Sequence, residues 1–494
     1  MSVGSEPGPR DGDSPIDSAT STYVERGDVG YRQSLSSLQM QMIAIGGAVG
    51  VGLFLGLGEQ LRAVGPGLVL SYAVVGVLVY LLMRALGEMS VYRPTTGAFV
   101  SYAREFVGPR FAHLTGWLYV TVAVLVGIAE ISAVGVYTAY WFPDSPEWLS
   151  PLVALCLVFG SNVLTVRAFG LIESAAAAIK VVAIVLFLAT GLLVVFFGGP
   201  FGWESEAGVT NLWEGGFLPH GVLPAIIVMQ VVVFSFSAVE VTATAAGEAK
   251  DAAVALPKAV RGVVVRLGLF YIGSVLVLSM LLPTERYSGD ESPFVTALAS
   301  LGVPYLGGIM NVVVLSASLS GVNAALYATV RLLRNLAAHG SAPKWTVQMS
   351  SRGVPVGALW FVGVLYLAGA VLILFADAGS IFSLALGSAS VCILLSWISI
   401  FVSHLRFSAK VRSGDIAPVD FRMPGMPYTD WCCLALLAVL VLSLLFDFSG
   451  DTGFYSLLVT MSLVVLHSVT YEFVKRRVAR KGLPDVSPVG RTRS

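Results

Sequence analysis

Three ionisable residues, Glu130, Lys180 and Glu240, stand inside long apolar stretches of this 494-residue chain. A charge is costly at the centre of a bilayer, so an ionisable residue there usually binds a solute or carries protons. Buried against backbone carbonyls, Lys180 could release its proton reversibly. Alternatively, its aliphatic stem could let the ammonium reach the membrane surface. Glu240 could act in transport or could lock a loop by hydrogen bonds. These residue types predict solute or proton transfer inside a membrane.

Two stretches of the sequence would interrupt a helix at membrane depth. Residues 46–52 contain four glycines, which destabilise a helix and free backbone N–H groups, and residues 234–244 are rich in Ser and Thr. Irregular backbone is tolerated in a bilayer only where it lines a cavity or is buried in protein. The glycines could equally allow close helix packing, and both interpretations stay open. A dinucleotide-binding loop is disfavoured, because no β-strand precedes the glycines.

Several other residues carry weaker signals. A polar stripe that should face protein or water rather than lipid is formed by Asn311, Ser316, Ser318, Ser320 and Asn323. His113 and His404 lie near predicted helix ends, which indicates ordinary interface residues. The cysteines have neither a metal-ligand spacing nor a disulfide framework, and we expect them to pack between helices as small apolar residues. They are Cys156, Cys392, Cys432 and Cys433.

The composition excludes a soluble protein of this length. Charged residues make up 12% of the chain, hydrophobic residues 56%, and the mean hydropathy is +0.81. Soluble domains carry about a quarter charged residues. The lipid bilayer must therefore replace water as the outer solvent. The net charge is zero, which favours no nucleic-acid partner.

Twelve apolar segments are long enough to cross a bilayer as helices of about 20 residues, so the predicted fold is all-α and polytopic. They lie near residues 40–62, 66–86, 111–141, 149–166, 177–198, 222–246, 262–282, 305–335, 355–376, 379–404, 431–448 and 453–472. Residues 1–36 have the composition of a disordered tail rather than a cleaved signal, and residues 476–494 form a basic tail.

The positive charges predict the orientation of these spans. All but two of the 30 Lys and Arg residues fall on one side of the predicted spans, and the exceptions are Arg62 and Arg286. Cytoplasmic loops hold the excess of positive charge in membrane proteins. We therefore expect both termini to face the cytoplasm.

Five motifs in register resemble bacterial amino acid permeases of the amino acid–polyamine–organocation superfamily. They are residues 41–50, 65–67, 84–88, 94–99 and the sixth-span pattern 234–240 with 246–248 and 257–259. Their order and spacing agree with the family from about residue 35 to about residue 475. The resemblance covers nearly the whole chain.

The resemblance implies a transmembrane domain over residues 37–475. Two inverted repeats of five helices would cover about residues 40–198 and 222–404, followed by two extra helices at about 431–472. Interrupted spans one and six would then open the two repeats, and the binding site would lie between them at mid-membrane.

The family pattern also implies how these two spans bind an amino acid. The free amides of Gly50, Val51 and Gly52 would hold the substrate carboxylate. Carbonyls around Ile45 and Phe234 would accept hydrogen bonds from the α-ammonium, and the Phe234 ring would cover the substrate.

The remaining site residues follow from the same resemblance. The carbonyl of Ser237 would also accept from the α-ammonium, and Ala238 stands where relatives usually have glycine. Glu240 would tie span six to its neighbours. Lys180 is similar in position to the lysine that replaces a sodium ion in proton-coupled relatives. Glu130 would contribute to substrate binding from span three.

The motifs give conflicting indications of the substrate. Glu130 resembles members that carry aromatic amino acids, proline or γ-aminobutyrate, whereas residues 99–106 and 421–425 resemble asparagine permeases. We expect a neutral L-amino acid, imported into a bacterium across the cytoplasmic membrane by proton symport with alternating access. The proton is the expected coupling ion, with no metal and no other cofactor.

Alternatives remain at this stage. An exchanger of the same fold, or a permease for γ-aminobutyrate or proline, would show the same motifs. The major facilitator class is disfavoured, because its charged motif between spans two and three is absent. An enzyme is disfavoured as well, because the five histidines are scattered. The oligomeric state is left open.

Overall fold

The computed structural model folds the described chain into α-helices joined by short loops. The structure describes residues 50–93, 98–164, 166–198, 206–237, 239–240, 257–258, 260–263, 265, 267–303, 305–338, 340–350, 354–446 and 452–480. The predicted N-terminal tail, residues 1–36, lies outside these ranges.

The α-helices of the described residues are α1 (Val51–Phe54), α2 (Gly56–Val64), α3 (Leu68–Tyr92), α4 (Ala98–Tyr102), α5 (Pro109–Ala139), α6 (Leu149–Leu164), α7 (Val166–Phe197), α8 (Val222–Ser235), α9 (Gly273–Leu281), α10 (Pro293–Ala299), α11 (Leu306–Ala338), α12 (Val356–Leu372), α13 (Ala378–Arg412), α14 (Tyr428–Ser443) and α15 (Thr452–Arg480). Two π-helical turns, Ala103–Val107 and Leu267–Ile272, precede α5 and α9. Short 3₁₀ turns are Gly65–Gly67, Val209–Leu212, Thr284–Arg286, Lys344–Val347 and Leu444–Phe446.

These helices confirm a polytopic membrane protein. Within the described ranges, eight helical stretches are long and apolar enough to cross a membrane, and α6, α8 and α12 are shorter apolar helices. Apolar side chains such as Leu186 on α7 and Val364 on α12 point outward and are exposed. Lipid is the solvent that accepts such a surface. The number twelve and the inverted repeat stay predictions, because residues 1–49 and 241–256 lie outside the described chain.

Local sequence signals set the starts of the two most deeply buried long helices, α5 and α13. Gly108 adopts φ of 140° and is followed by Pro109, which needs no N–H partner in the first turn of α5. Asp377 caps α13 by accepting from the Ser380 backbone N–H at 2.7 Å. Hydrogen bonds from Ser380 lower the pKa of Asp377.

The core of the bundle lies where α5 packs against α11 on one side and against α13 on the other. The short helix α1 contacts α5, α8 and α11, so the described part of the first span reaches this core. By contrast, α15 is the least buried of the long helices. The polar interruptions are thus surrounded by protein, as irregular backbone at membrane depth requires.

Several predicted boundaries differ from the structure, among them the ends of spans two and ten, since α3 continues to Tyr92 and α13 to Arg412. Span five was expected near residues 177–198, but α7 begins at Val166, so Lys180 lies well inside a helix. Its side chain is 1% exposed, and the interpretation that it reaches the membrane surface is wrong. Helix α15 continues to Arg480, into the predicted basic tail at 476–494. Helices need not end where their apolar residues end, so hydropathy alone misplaces such boundaries.

The predictions for the histidines and for two cysteines are also wrong. His113 and His404 are buried rather than at an interface. Cys392 and Cys433 are buried as expected, but Cys156 and Cys432 are exposed on the outer surface of the bundle. A helix that is apolar all round gives no sequence signal of which face meets lipid.

Candidate substrate and coupling site

The described part of the first span begins at Gly50, directly before α1. Gly50 has a non-helical backbone, with φ of −124° and ψ of −161°, and α1 starts at the next residue. The Val51 N–H points away from the helix and donates to Oε1 of Glu130 at 3.1 Å. An amide that the family pattern assigns to a substrate carboxylate therefore binds a carboxylate here, and the protein supplies it.

Two glycines make room for the Glu130 carboxylate, which is 3% exposed. A Cβ added at Gly50 would lie 2.8 Å from Glu130 Oε1, and a Cβ at Gly321 on α11 would lie 2.4 Å from the same carboxylate oxygen. Real Cβ atoms do not approach so closely. Gly50 thus allows close packing and lies just outside α1, while residues 46–49 of the glycine cluster lie outside the described chain.

The sixth span is interrupted where the sequence predicted it. Helix α8 ends at Ser235. The chain then turns, with the Phe236 N–H donating to the Val233 carbonyl at 3.0 Å and the Ser237 N–H to the Phe234 carbonyl at 2.9 Å. The Phe234 carbonyl keeps a second lone pair for a further donor.

The two interrupted spans meet directly. A Cβ on Gly52 would lie 2.8 Å from Cδ1 of Phe234, so the buried Phe234 ring rests on the backbone of the first span. Two tyrosines fix the end of α8. The Tyr271 hydroxyl donates to the Ser235 carbonyl at 2.6 Å, and the Tyr72 hydroxyl lies 3.3 Å from Ser235 Oγ.

Lys180 contacts α11 next to the residue that borders Glu130. Its Nζ donates to Ser320 Oγ on α11 at 3.0 Å. Ser320 directly precedes Gly321, which touches the Glu130 carboxylate. Residues 320 and 321 of α11 therefore stand between the buried ammonium and the buried carboxylate.

The polar stripe of α11 faces protein, as predicted. Asn311, Ser318, Ser320 and Asn323 are buried, while Ser316 is half-buried. Asn323 accepts a hydrogen bond from Asn162 of α6 at 2.7 Å. Asn311 donates to the Tyr137 carbonyl of α5 at 2.8 Å. The stripe holds α11 against two neighbouring helices.

Glu240 follows the interruption of span six and is 1% exposed. Its carboxylate lies near the side chain of Tyr119 on α5. The contact joins span six to the third span, which is the kind of tie that the family pattern implies.

Family membership follows from the sequence of the whole chain. A family model described as amino acid permease matches residues 39–483. The chain belongs to the amino acid permease family. It is a membrane transporter that imports amino acids, and it is not an enzyme.

The permease has relatives that align along nearly their whole length. It is 41% identical over 459 residues to the L-asparagine permease of Salmonella typhimurium, with 92% of each chain covered. The L-asparagine permease of Escherichia coli is also 41% identical over 459 residues, which cover 92% of this chain and 91% of that one. The L-asparagine permease of Streptomyces coelicolor is 40% identical over 466 residues, with 94% and 95% covered.

Part of the permease site was missed by sequence reasoning. Gly321 was not predicted, although a glycine inside the polar stripe of α11 was a usable signal of close packing. Nothing in the sequence singled out Tyr72, Tyr119 or Tyr271. Two predicted residues, Ile45 and Ala238, lie outside the described part of the permease.

A metal site is not built into the described part of the permease. No group of three or more His, Cys, Asp or Glu side chains there is placed to hold a metal ion. What the site offers is a peptide N–H, helix-end carbonyls and buried ionisable groups. These groups suit a zwitterion, because the N–H attracts a carboxylate and the carbonyls attract an ammonium.

Proposed function

We propose that this permease imports L-asparagine by proton symport with alternating access. The relatives at 40% to 41% identity named above are L-asparagine permeases that align over at least 91% of their length. This agreement supports asparagine over the aromatic amino acids, proline and γ-aminobutyrate that Glu130 suggested.

The observation that carries the proposal is the hydrogen bond from the Val51 N–H to Glu130 Oε1 at 3.1 Å. A substrate carboxylate needs the same donor, so it competes with Glu130 for the interrupted end of span one. Two carboxylates cannot share one buried site unless one is protonated or moves away. Binding of asparagine therefore requires Glu130 to take up a proton or to withdraw toward α11.

Lys180 supplies the coupling in this proposal. As an ammonium, it donates to Ser320 Oγ. As a neutral amine, it could accept from the same hydroxyl, which would reverse the direction of that hydrogen bond. Since Gly321 follows Ser320 and touches Glu130, a change at Lys180 reaches the substrate amide through two adjacent residues.

Proton symport would give the permease enough energy for concentrative uptake. One charge moved inward across 100 mV gains about 2.3 kcal/mol, which corresponds to about 50-fold accumulation. The distribution of Lys and Arg supports an orientation with both termini in the cytoplasm, within the cytoplasmic membrane of a bacterium.

The test uses the purified full-length permease in liposomes. In counterflow, vesicles loaded with unlabelled L-asparagine should take up labelled L-asparagine, and external D-asparagine, L-phenylalanine or γ-aminobutyrate should compete weakly. Empty vesicles should accumulate L-asparagine when a pH gradient, acidic outside, is imposed, and a proton ionophore should abolish that accumulation.

Two results would overturn the proposal. Stronger competition by L-phenylalanine or γ-aminobutyrate than by unlabelled L-asparagine would exclude the assigned substrate. Uptake that strictly requires internal amino acid, and that ignores the pH gradient, would replace symport with exchange.

A further inference from the structure

A second group of buried ionisable residues lies where α3, α13 and α14 meet. Glu88 of α3, His404 of α13 and Asp430 of α14 are each 1% exposed or less. His404 Nδ1 lies 2.8 Å from Asp430 Oδ1, and His404 Nε2 lies 3.2 Å from Glu88 Oε2. The backbone N–H of Met423 donates to the same Glu88 oxygen at 2.6 Å. The proposed transport mechanism uses none of these groups.

Hydrogen-bond geometry fixes how many protons this group holds. A neutral imidazole has one N–H and one lone pair, yet both ring nitrogens of His404 face a carboxylate oxygen. A lone pair against a carboxylate oxygen would repel it, so each of the two short contacts requires its own proton. Because Glu88 Oε2 already accepts from Met423, the Nε2 contact is a donation from His404 to Glu88.

The second proton lies between His404 Nδ1 and Asp430 Oδ1. It can sit on the ring, giving an imidazolium and two carboxylates, or on Asp430, giving a neutral ring and one carboxylic acid. Either arrangement leaves the three side chains with a net charge of −1. Removing this proton changes the net charge of the three side chains from −1 to −2. The lone pairs of His404 Nδ1 and Asp430 Oδ1 then face each other, with the two atoms 2.8 Å apart.

No described hydrogen-bond donor would replace that proton at Asp430. Its other oxygen, Oδ2, is buried and accepts no hydrogen bond from the described residues. A deprotonated pair would therefore leave Asp430 as a buried carboxylate without a donor. Such a group is costly and favours any movement that lets water reach it.

The charged side chains around this group do not supply a hydrogen bond to Asp430 Oδ2. Arg84, one helical turn before Glu88, directs its guanidinium to the Phe421 ring, 3.9 Å from the centroid, and donates to the Arg422 carbonyl. The Phe407 ring packs on the His404 ring at 5.9 Å. Other titratable or charged groups on the neighbouring elements are Tyr72, Tyr80, Tyr92, Arg93, Tyr102, Arg104, Glu105, Cys392, Arg406, Lys410, Arg412, Asp415, Asp420, Arg422, Tyr428, Cys432 and Cys433.

The contacts also show what the group holds in place. Residues 413–427, which connect α13 to α14, are fixed by the Met423 N–H and by the buried side chains of Phe421 and Met423. Glu88 thus anchors the connecting segment, and Asp430 anchors the start of α14. His404 bridges the two.

We propose that Glu88, His404 and Asp430 form a proton-dependent clamp that fastens residues 413–427 and the start of α14 onto α3 and α13. The clamp is closed while the shared proton is present. As the pH rises, the proton leaves to water, Nδ1 and Oδ1 repel each other, and the segment and α14 loosen. The clamp is a positioning device and is independent of the substrate and coupling ion proposed above.

Hydrogen exchange of the full-length protein in detergent tests the clamp. Backbone exchange of residues 413–427 is followed by mass spectrometry from about pH 6 to about pH 10, beyond the ordinary range of histidine titration. Exchange is corrected for the intrinsic pH dependence of amide chemistry. The corrected rate in the wild-type protein should rise about tenfold or more, as expected when a buried polar group loses its partner.

Asp430→Asn is the decisive variant. Asparagine has nearly the same shape, and its amide can donate to Nδ1 of a neutral His404, so the contact survives without a removable proton. The corrected rate should then stay flat across the pH range. Asp420→Asn, which neutralises an exposed carboxylate in the same segment, should follow the wild-type protein.

The clamp is refuted if the corrected exchange of the wild-type segment does not change with pH. An equal rise in Asp430→Asn and in the wild-type protein would refute it as well. Should Asp430→Asn fail to fold, His404→Gln serves instead, because it removes the Nδ1 lone pair whose repulsion of Asp430 opens the clamp and should also flatten the profile. A pH-dependent profile that persists in His404→Gln counts against the clamp. None of these readouts requires transport, so the clamp and the transport proposal can fail separately.

Discussion

Two regions of this permease bury ionisable side chains, and they differ in what those side chains contact. In the transport region, the Glu130 carboxylate accepts from a backbone amide at the end of an interrupted helix, and Lys180 donates to a hydroxyl. In the clamp region, Glu88, His404 and Asp430 satisfy one another at distances of 2.8 and 3.2 Å.

The comparison teaches that burial alone does not identify a transport residue. Side chains in both regions are almost completely buried. A backbone amide can exchange one carboxylate for another, so a ligand can replace Glu130. A ligand has no corresponding way to replace His404, which bridges two carboxylates. Removing this histidine would leave the two carboxylates buried without partners. The kind of group that a buried charge contacts therefore distinguishes a ligand-binding site from a group of side chains that stabilises the fold.

The largest effect should come from breaking the clamp. Glu88→Ala leaves the Met423 N–H and His404 Nε2 without their acceptor, and removing one member of a buried pair costs about 3–5 kcal/mol. We expect the thermal unfolding temperature of the purified protein to fall sharply. Glu285→Ala, at an exposed position, is the control and should change nothing. Equal stability of the two variants would mean that the clamp holds nothing together.

The next effect should come from the coupling residue. Lys180→Ala removes the buried ammonium that donates to Ser320. We expect accumulation driven by a pH gradient to vanish, a loss of about 1.4 kcal/mol per proton for each pH unit, while counterflow persists. Measured in liposomes, Lys344→Ala should accumulate like the wild type, because Lys344 is exposed. Full accumulation by Lys180→Ala would remove Lys180 from the coupling mechanism.

A smaller effect should follow from crowding Glu130. Gly321→Ala places a Cβ 2.4 Å from the carboxylate, which must shift, and overpacking costs about 1–2 kcal/mol. We expect the half-saturation concentration for counterflow to change by about 5- to 30-fold, together with a fall in the thermal unfolding temperature. Gly160→Ala is the matched control, since no atom lies within 4 Å of the added Cβ. The same kinetics in both variants would show that Glu130 does not border the substrate.

The smallest effect should come from Tyr72→Phe, which removes the hydroxyl near Ser235 and Gln60. One neutral hydrogen bond contributes about 1 kcal/mol, so we expect a slight loss of thermal stability and unchanged coupling. Tyr305→Phe, at a residue that is 86% exposed, should be silent. A complete loss of transport in Tyr72→Phe would place Tyr72 in the transport mechanism itself.

Sequence reasoning succeeded best where a local pattern decides the structure. The interruption after Ser235 follows from a polar run inside an apolar span, and the structure ends α8 there. The buried stripe of α11 was visible from its spacing. Lys180 was recognised as a candidate, but whether it was buried or reached the surface could not be decided, because its stem permits both.

The clamp was beyond sequence reasoning. His404 was expected to be an ordinary interface residue, yet its partner Glu88 lies 316 residues away in the chain. The motif at residues 84–88 contains Glu88 but does not indicate its partner, no local pattern marks His404, and an apolar helix does not reveal which face meets protein.

The sequence by itself determined that this chain crosses a membrane in many helices and belongs to the amino acid permeases. The reason is that a bilayer requires long apolar segments whose backbone groups form hydrogen bonds within the segment. Both features depend on residues that are consecutive in the sequence. Only the tertiary structure decided which buried charges meet: Glu130 with the amide of Val51, and His404 with two carboxylates. Such contacts join distant segments, and they depend on how the helices pack rather than on what any one helix contains.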